Sequence, residues 1–300
     1  MEKSLFERSR SNRQRTWLIF FLFYILFLAL GVVLGLYLGN LYFGIATMII
    51  IAVVYMMIVF SSAESMVLAA SGAKPVTRQS HPMLYNVVDG MRIAAGIPMP
   101  KVYIIDDSAL NAFATGRNPQ RGIIVVTSGL LAKMNRRELE GVIAHEMSHI
   151  KNYDIRVMLY AVVLVGAIML LSDFLLRSFL WGGKGDGGGD DNRIKIVLIF
   201  VGLLLAILAP IIAQLIQLAI SRRREYLADN DAAILTRYPQ GLAAALRKIS
   251  QDPDPLVDTA NKATAHLFIS TPFRKKTGFW QRLFSTHPPI QERIQLLEKM

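Results

Sequence analysis

Residues Arg136–Tyr153, RRELEGVIAHEMSHIKNY, decide how the rest of the chain is read. Leu139, Val142, Ile143, Met147 and Ile150 recur at three- and four-residue spacing, which predicts a helix with one apolar side. Within it, His145-Glu146-Met147-Ser148-His149 is an HExxH motif. Residues four apart stand on one face of a helix, with about 6 Å between Cβ atoms. Two imidazoles at that spacing reach one ion at about 2.0–2.1 Å each. Glu146 projects to the side of the pair, where it touches a metal-held water without binding the metal, as the catalytic base of a metalloprotease does. The bland alternative is two histidines on a solvated helix face. The helical, charged context weighs against it.

A catalytic zinc site needs a third protein ligand and an open position. The chain has no cysteine, so disulfides and thiolate ligands are excluded. The absence of cysteine also suits a reducing compartment. His81, His266, His287 and the carboxylates remain as candidates. Among them Arg224-Glu225-Tyr226-Leu227-Ala228-Asp229 stands out. Glu225 and Asp229 share a helix face, so Glu225 can bind the ion while Asp229 accepts the free N–H of a ligand histidine. The competing reading is a solvated helix start, where acidic residues are common.

Further out lie apolar runs. Hydrophobic residues make up 53% of the chain and charged residues 18%, against about 25% charged in ordinary soluble proteins. Trp17–Leu38 and Leu41–Phe60 are uncharged, separated by Gly39-Asn40, and long enough to span a bilayer. A signal peptide is disfavoured because a second span follows at once. A third run, Val157–Trp181, is interrupted by Asp173 and Arg177, and a fourth covers Ile196–Ile220. The chain thus divides into a basic tail (1–16), a transmembrane hairpin (17–60), a polar segment with the motif (61–156), a second hairpin with a Gly-rich loop at 182–193 (157–220), and a second polar segment (221–300). His145 and Glu225 share an ion only if they lie on one side of the membrane, and two intervening crossings satisfy that.

The net charge of +11 is not gathered on one aromatic-interleaved module, so nucleic acid is not expected as a partner. The basic residues flank the apolar runs, which places both termini and both polar segments in the cytoplasm. Arg136, Arg137, Glu138, Glu140, Lys151 and Asp154 make the motif helix too charged for hydrocarbon. In the first polar segment Met83–Ala95 is expected to be helical. Lys101–Ile105, Gly122–Thr127 and Asn111–Thr115 read as strands, with 116–122 as a turn.

Asn111–Arg117 (NAFATGR), Gly122–Leu131 (GIIVVTSGLL), His145–His149, Ser221–Asp229 (SRRREYLAD) and His287–Arg293 (HPPIQER) together resemble the HtpX-type membrane zinc proteases, relatives of the CAAX prenyl proteases within the glutamate-zincins. The resemblance covers nearly the whole chain. It implies an α+β protein: four mostly helical membrane segments plus a zincin-like (minigluzincin) catalytic domain with a small β-sheet and the HExxH helix. It implies one Zn2+ per subunit on His145, His149 and Glu225, with Glu146 as base and Asp229 behind a ligand. Asn111, Ala112 and Phe113 would form a sheet-edge strand that holds an extended peptide by main-chain hydrogen bonds. His287 would stabilise the oxyanion, and Arg293 would support the site. The expected partners are polypeptide substrates, membrane proteins among them, and the bilayer of a bacterial plasma membrane, with a role in quality control under stress. Two rival readings are an inactive scaffold or holdase of the same fold and a four-span transporter.

Overall fold

In the computed structural model, residues 5–164, 166, 222–252 and 288–300 are described. Helix α1 (Leu5–Leu38) opens inside the basic tail and continues into the first apolar run. At 34 residues and about 1.5 Å per residue it is roughly 50 Å long, more than a hydrocarbon core requires. Gly39, with φ of 71°, ends it in the left-handed conformation that suits a residue without Cβ. Asn40 then caps α2 (Leu41–Ala70), its side chain accepting the Phe43 N–H at 3.1 Å. The two helices pack backbone to backbone, since a Cβ on Gly44 would lie 2.2 Å from the Gly35 nitrogen. Both helices are long and apolar enough to cross a membrane.

Helix α2 passes the expected boundary at Phe60, because the buried stripe Val59, Ala63, Val67 keeps helical spacing after the composition turns polar. Glu64, on that extension, accepts the Arg117 main-chain N–H and its Nε–H at 3.3 and 3.1 Å. Asn12, near the start of α1, meets Asp154. The beginning of α1 and the end of α2 therefore both touch the polar segment that carries the motif, as a hairpin requires.

The sheet has the order β1-β2-β4-β3, built from β1 (Lys74–Pro75), β2 (Lys101–Ile105), β3 (Ala112–Thr115) and β4 (Ile123–Thr127). Strand β4 lies parallel to β2 and antiparallel to β3. Every residue of β4 is buried, as a β-branched run in a sheet centre should be. Among the described residues strand β3 pairs with β4 alone, which leaves it at the edge of this sheet. The β1 pairing was not anticipated: Pro75 in a two-residue edge strand has no sequence signature.

Helices α3 (Pro82–Ala95) and α4 (Ser128–Lys133) precede α5 (Arg136–Lys151), the motif helix. Its start is fixed by a capping box: Asn135 accepts the Glu138 N–H, and Glu138 accepts the Asn135 N–H. Residues 141–150 are all buried. Around α5 pack α3, β3, α7 (Arg222–Thr236) and α8 (Pro239–Gln251), and the C-terminal α9 (Ile290–Glu298) packs on α7 and α8. The motif helix was expected to run through Tyr153. It stops at Lys151, Tyr153 adopts φ of 62°, and a new helix, α6, covers residues 154–164. The third and fourth apolar runs beyond residue 166, the Asp173/Arg177 pair and the loop at 182–193 lie outside the described residues.

Candidate active site

His145 and His149 project from α5, one turn apart, their Nε2 atoms 3.2 Å from each other. Glu225 comes from the first turn of α7. Its carboxylate oxygens lie 3.6 Å from His145 Nε2 and 3.5 Å from His149 Nε2. A tetrahedral ion bound at 2.0–2.1 Å separates its ligand atoms by about 3.4 Å, so the triangle has the size such an ion needs. The donor set, two imidazoles and a carboxylate, is a zinc set. The three side chains are 1%, 4% and 5% exposed. That excludes both bland alternatives, histidines on a wet helix face and a glutamate at a solvated helix start.

Each imidazole is held from behind by a carboxylate. His145 Nδ1 donates to Asp229 Oδ1 at 2.9 Å; His149 Nδ1 donates to Asp154 Oδ2 at 3.2 Å. A carboxylate on Nδ1 fixes the tautomer and aims the Nε2 lone pair at the ion. Asp229 stands where the spacing put it. The role of Asp154 was missed, because in an unbroken helix a residue five positions after His149 points elsewhere. The left-handed Tyr153 swings it back under the ring. Arg293, 1% exposed, grips both Asp229 oxygens at 2.7 and 2.8 Å, the bidentate geometry that guanidinium alone supplies. It is the structural support expected of it.

These contacts set the charges. Burial pulls the His145 imidazole down, but hydrogen bonds to Asp229 and Glu225 outweigh it and leave its pKa at about 9. Burial likewise opposes a charged His149, and the Asp154 hydrogen bond with the Glu225 charge raises it nonetheless. Burial pushes Asp229 up, yet the Arg293 charge and the His145 bond hold it below the ordinary carboxylate range. Glu146, 3% exposed, is raised, chiefly by burial. The motif helix packs against the edge strand β3. Asn111 immediately precedes β3, its side chain accepting the Ala112 N–H at 3.1 Å. Phe113 is fully buried in the sheet. His287 lies outside the described residues.

Two imidazoles on one helix answered by a glutamate far along the chain is how metalloproteases hold their ion, and that is the class in which comparison with known proteins puts this one. Residues 78–300 match the model of peptidase family M48, and the chain belongs to that family. It is 47% identical over 299 residues to the protease HtpX homolog of Dictyoglomus turgidum, covering 99% of this chain and 95% of that protein. It is 43% identical over 300 residues to the HtpX homolog of Caldanaerobacter subterraneus, covering 100% and 99%. The HtpX homolog of Streptococcus pneumoniae is 45% identical over 302 residues, covering 99% and 100%. Among solved structures, S. mikatae Ste24p shares the fold with a TM-score of 0.50 at 20% identity, over 93% of this chain. This chain spans 62% of the length of that structure.

Proposed function

We propose that this metalloprotease is a zinc-dependent endopeptidase whose ion is held by His145, His149 and Glu225. The observation that carries the reading is the triangle of donor atoms at 3.2, 3.5 and 3.6 Å, with a carboxylate behind each imidazole. Zinc, when bound there, supplies Lewis-acid polarisation of the scissile carbonyl and acidifies water. Glu146 takes the proton of the attacking water and returns it to the leaving amine. Its burial, which raises it above the ordinary carboxylate value, suits a group that must both accept and release a proton. Asn111, Ala112 and Phe113 form the sheet-edge stretch along which the peptide is held in extended form by main-chain hydrogen bonds. His287 is assigned the stabilisation of the oxyanion.

The same reading gives the membrane arrangement. Four apolar segments cross a bacterial plasma membrane, and the site and both termini face the cytoplasm. The contacts of Asn12 with Asp154 and of Glu64 with Arg117 support the first hairpin, because they bring both its ends to the motif-bearing segment. The meeting of Glu225 with the α5 histidines supports an even number of crossings between them. Misfolded membrane proteins are the substrates, and their removal under stress is the role. The test is digestion of casein and of a destabilised membrane protein by the purified full-length chain in detergent, with and without a chelator. Cleavage that stops with the chelator and returns with zinc is the expected result. Cleavage indifferent to the chelator refutes the metal reading, and no cleavage at full zinc occupancy favours a scaffold.

A further inference from the structure

The buried stripe of α1 descends through Leu30, Leu26, Phe23, Ile19 and Thr16 to Asn12. Asn12 is 4% exposed and the Thr16 hydroxyl donates to its carbonyl at 2.9 Å. Its side-chain amide crosses to the other end of the sequence map. Nδ2 donates to the Asn152 carbonyl at 2.9 Å and to Asp154 Oδ1 at 2.9 Å. Both neighbours only accept, so the orientation of the amide is forced and both its hydrogens are used. The bond to Asn152 caps the end of α5, which a merely structural residue explains. The bond to Asp154 has a different consequence. Asp154 Oδ1 takes Asn12 and, at 3.3 Å, Arg224 Nη1, which leaves Oδ2 aimed at His149 Nδ1.

We propose that Asn12 is a positioning residue for His149: through Asp154 it fixes the imidazole, and thereby builds the helix that enters the membrane into the metal centre. The proposal rests on the zinc reading above and goes beyond it. A packing role needs only an apolar residue at the end of an apolar stripe. An amide spending one hydrogen on the carboxylate behind a ligand is what orienting that ligand requires. Arg224 Nη1 reaches the same oxygen at a longer 3.3 Å, against 2.9 Å for Asn12.

Loss of a group that touches a ligand directly weakens metal binding by about 10- to 100-fold. Asn12 acts one bond further out, so Asn12→Ala is expected near the lower end, about tenfold. The experiment is a competition titration of zinc against a chromophoric chelator on the purified full-length chain in detergent, with the visible spectrum of the cobalt-loaded protein recorded alongside. Asn12→Ala should weaken zinc about tenfold and shift the cobalt bands. Thr16→Val, which disturbs the same helix face without reaching Asp154, should do neither. In an Asp154→Asn background, Asn12→Ala should change zinc affinity less than about twofold, since its path to His149 is already cut. Wild-type zinc affinity in Asn12→Ala, or an equal loss in the Asp154→Asn background, overturns the assignment. Should Asn12→Ala not fold, the isosteric Asn12→Asp replaces it, and wild-type affinity there overturns the assignment equally. Wild-type protein that binds no zinc refutes the metal reading itself, a separate result.

Discussion

Arg293→Met is the sharpest probe of how the site is supported. The guanidinium makes two short bonds to Asp229, and its Nη1 lies 3.8 Å from Glu225 Oε2. Without it, Asp229, 4% exposed, is a buried carboxylate left with only a histidine for company. Removing one partner of a buried pair costs about 3–5 kcal/mol. At roughly 2–4 °C per kcal/mol for a domain of this size, the melting temperature should fall by on the order of 10 °C. Asp229 also loses the grip that aims it at His145, so zinc affinity should fall by about 10- to 100-fold. Arg293→Lys keeps the charge but cannot hold both oxygens, and should lie between. The double variant Arg293→Met/Asp229→Asn removes both charges. Its stability should recover toward wild type, because an apolar replacement of a whole buried pair is often neutral, while its zinc affinity stays low. Thermal unfolding of the detergent-solubilised chain, with chelator and with zinc, reads the first effect, and competition titration reads the second. If Arg293→Met melts within about 2 °C of wild type and binds zinc unchanged, the reasoning fails.

Glu146→Gln should keep its zinc by elemental analysis and lose about 10²- to 10⁴-fold in peptide cleavage; substantial cleavage by the metal-loaded variant refutes its role as base. Glu225→Ala should lower the zinc content of purified protein, and unchanged content counts against it as a ligand. With His145 at about 9, raised from 6.5, its pairs stabilise the metal-free fold fully below pH 6.5, and that contribution disappears as pH rises through 9. Metal must displace the same proton, so zinc affinity should climb about tenfold per pH unit up to that pH. Calorimetry at pH 7 in buffers of different ionisation heat should find at least one proton released per zinc. Gly141→Ala should cost about 1–3 kcal/mol, since its Cβ would sit 2.5 Å from the Leu242 nitrogen on α8. An unchanged melting curve argues against that close approach.

What could be read in the sequence was what repeats locally. The i, i+4 pairs His145/His149 and Glu225/Asp229 announce themselves because a helix converts spacing into a shared face. Gly39-Asn40 marks the turn between α1 and α2 because each residue suits one special backbone position. A strand at 111–115 followed from its short run and the turn after it, and the structure has it at Ala112–Thr115; its place at the sheet edge was implied by the family resemblance alone. Asp154 was hidden because its contact with His149 depends on one left-handed residue, Tyr153, which no pattern marks. Asn12 was hidden because its partner lies 142 positions away, and a polar residue in a basic tail looks solvated until the fold buries it. The extension of α2 past Phe60 was missed for a related reason: composition changed there, but helical spacing did not.

The charges around the site explain why a divalent ion suits it. Glu146, Asp154, Glu225 and Asp229 are each no more than 5% exposed. Arg293 faces Asp229 and Arg224 faces Asp154, so among the described residues these four carboxylates outnumber the guanidinium groups paired with them. Uncompensated buried charge is too costly to persist. Protons supply one remedy, and both imidazoles are raised by their carboxylate neighbours, which favours their charged forms. A divalent cation supplies the other, so its binding releases protons. Among the described residues the positive charges that act on Glu146 are chiefly the imidazoles of His145 and His149, while Arg293 and Arg224 lie against Asp229 and Asp154. The Glu146 carboxylate is raised, chiefly by burial, which is the property that the proposed role as base requires of it.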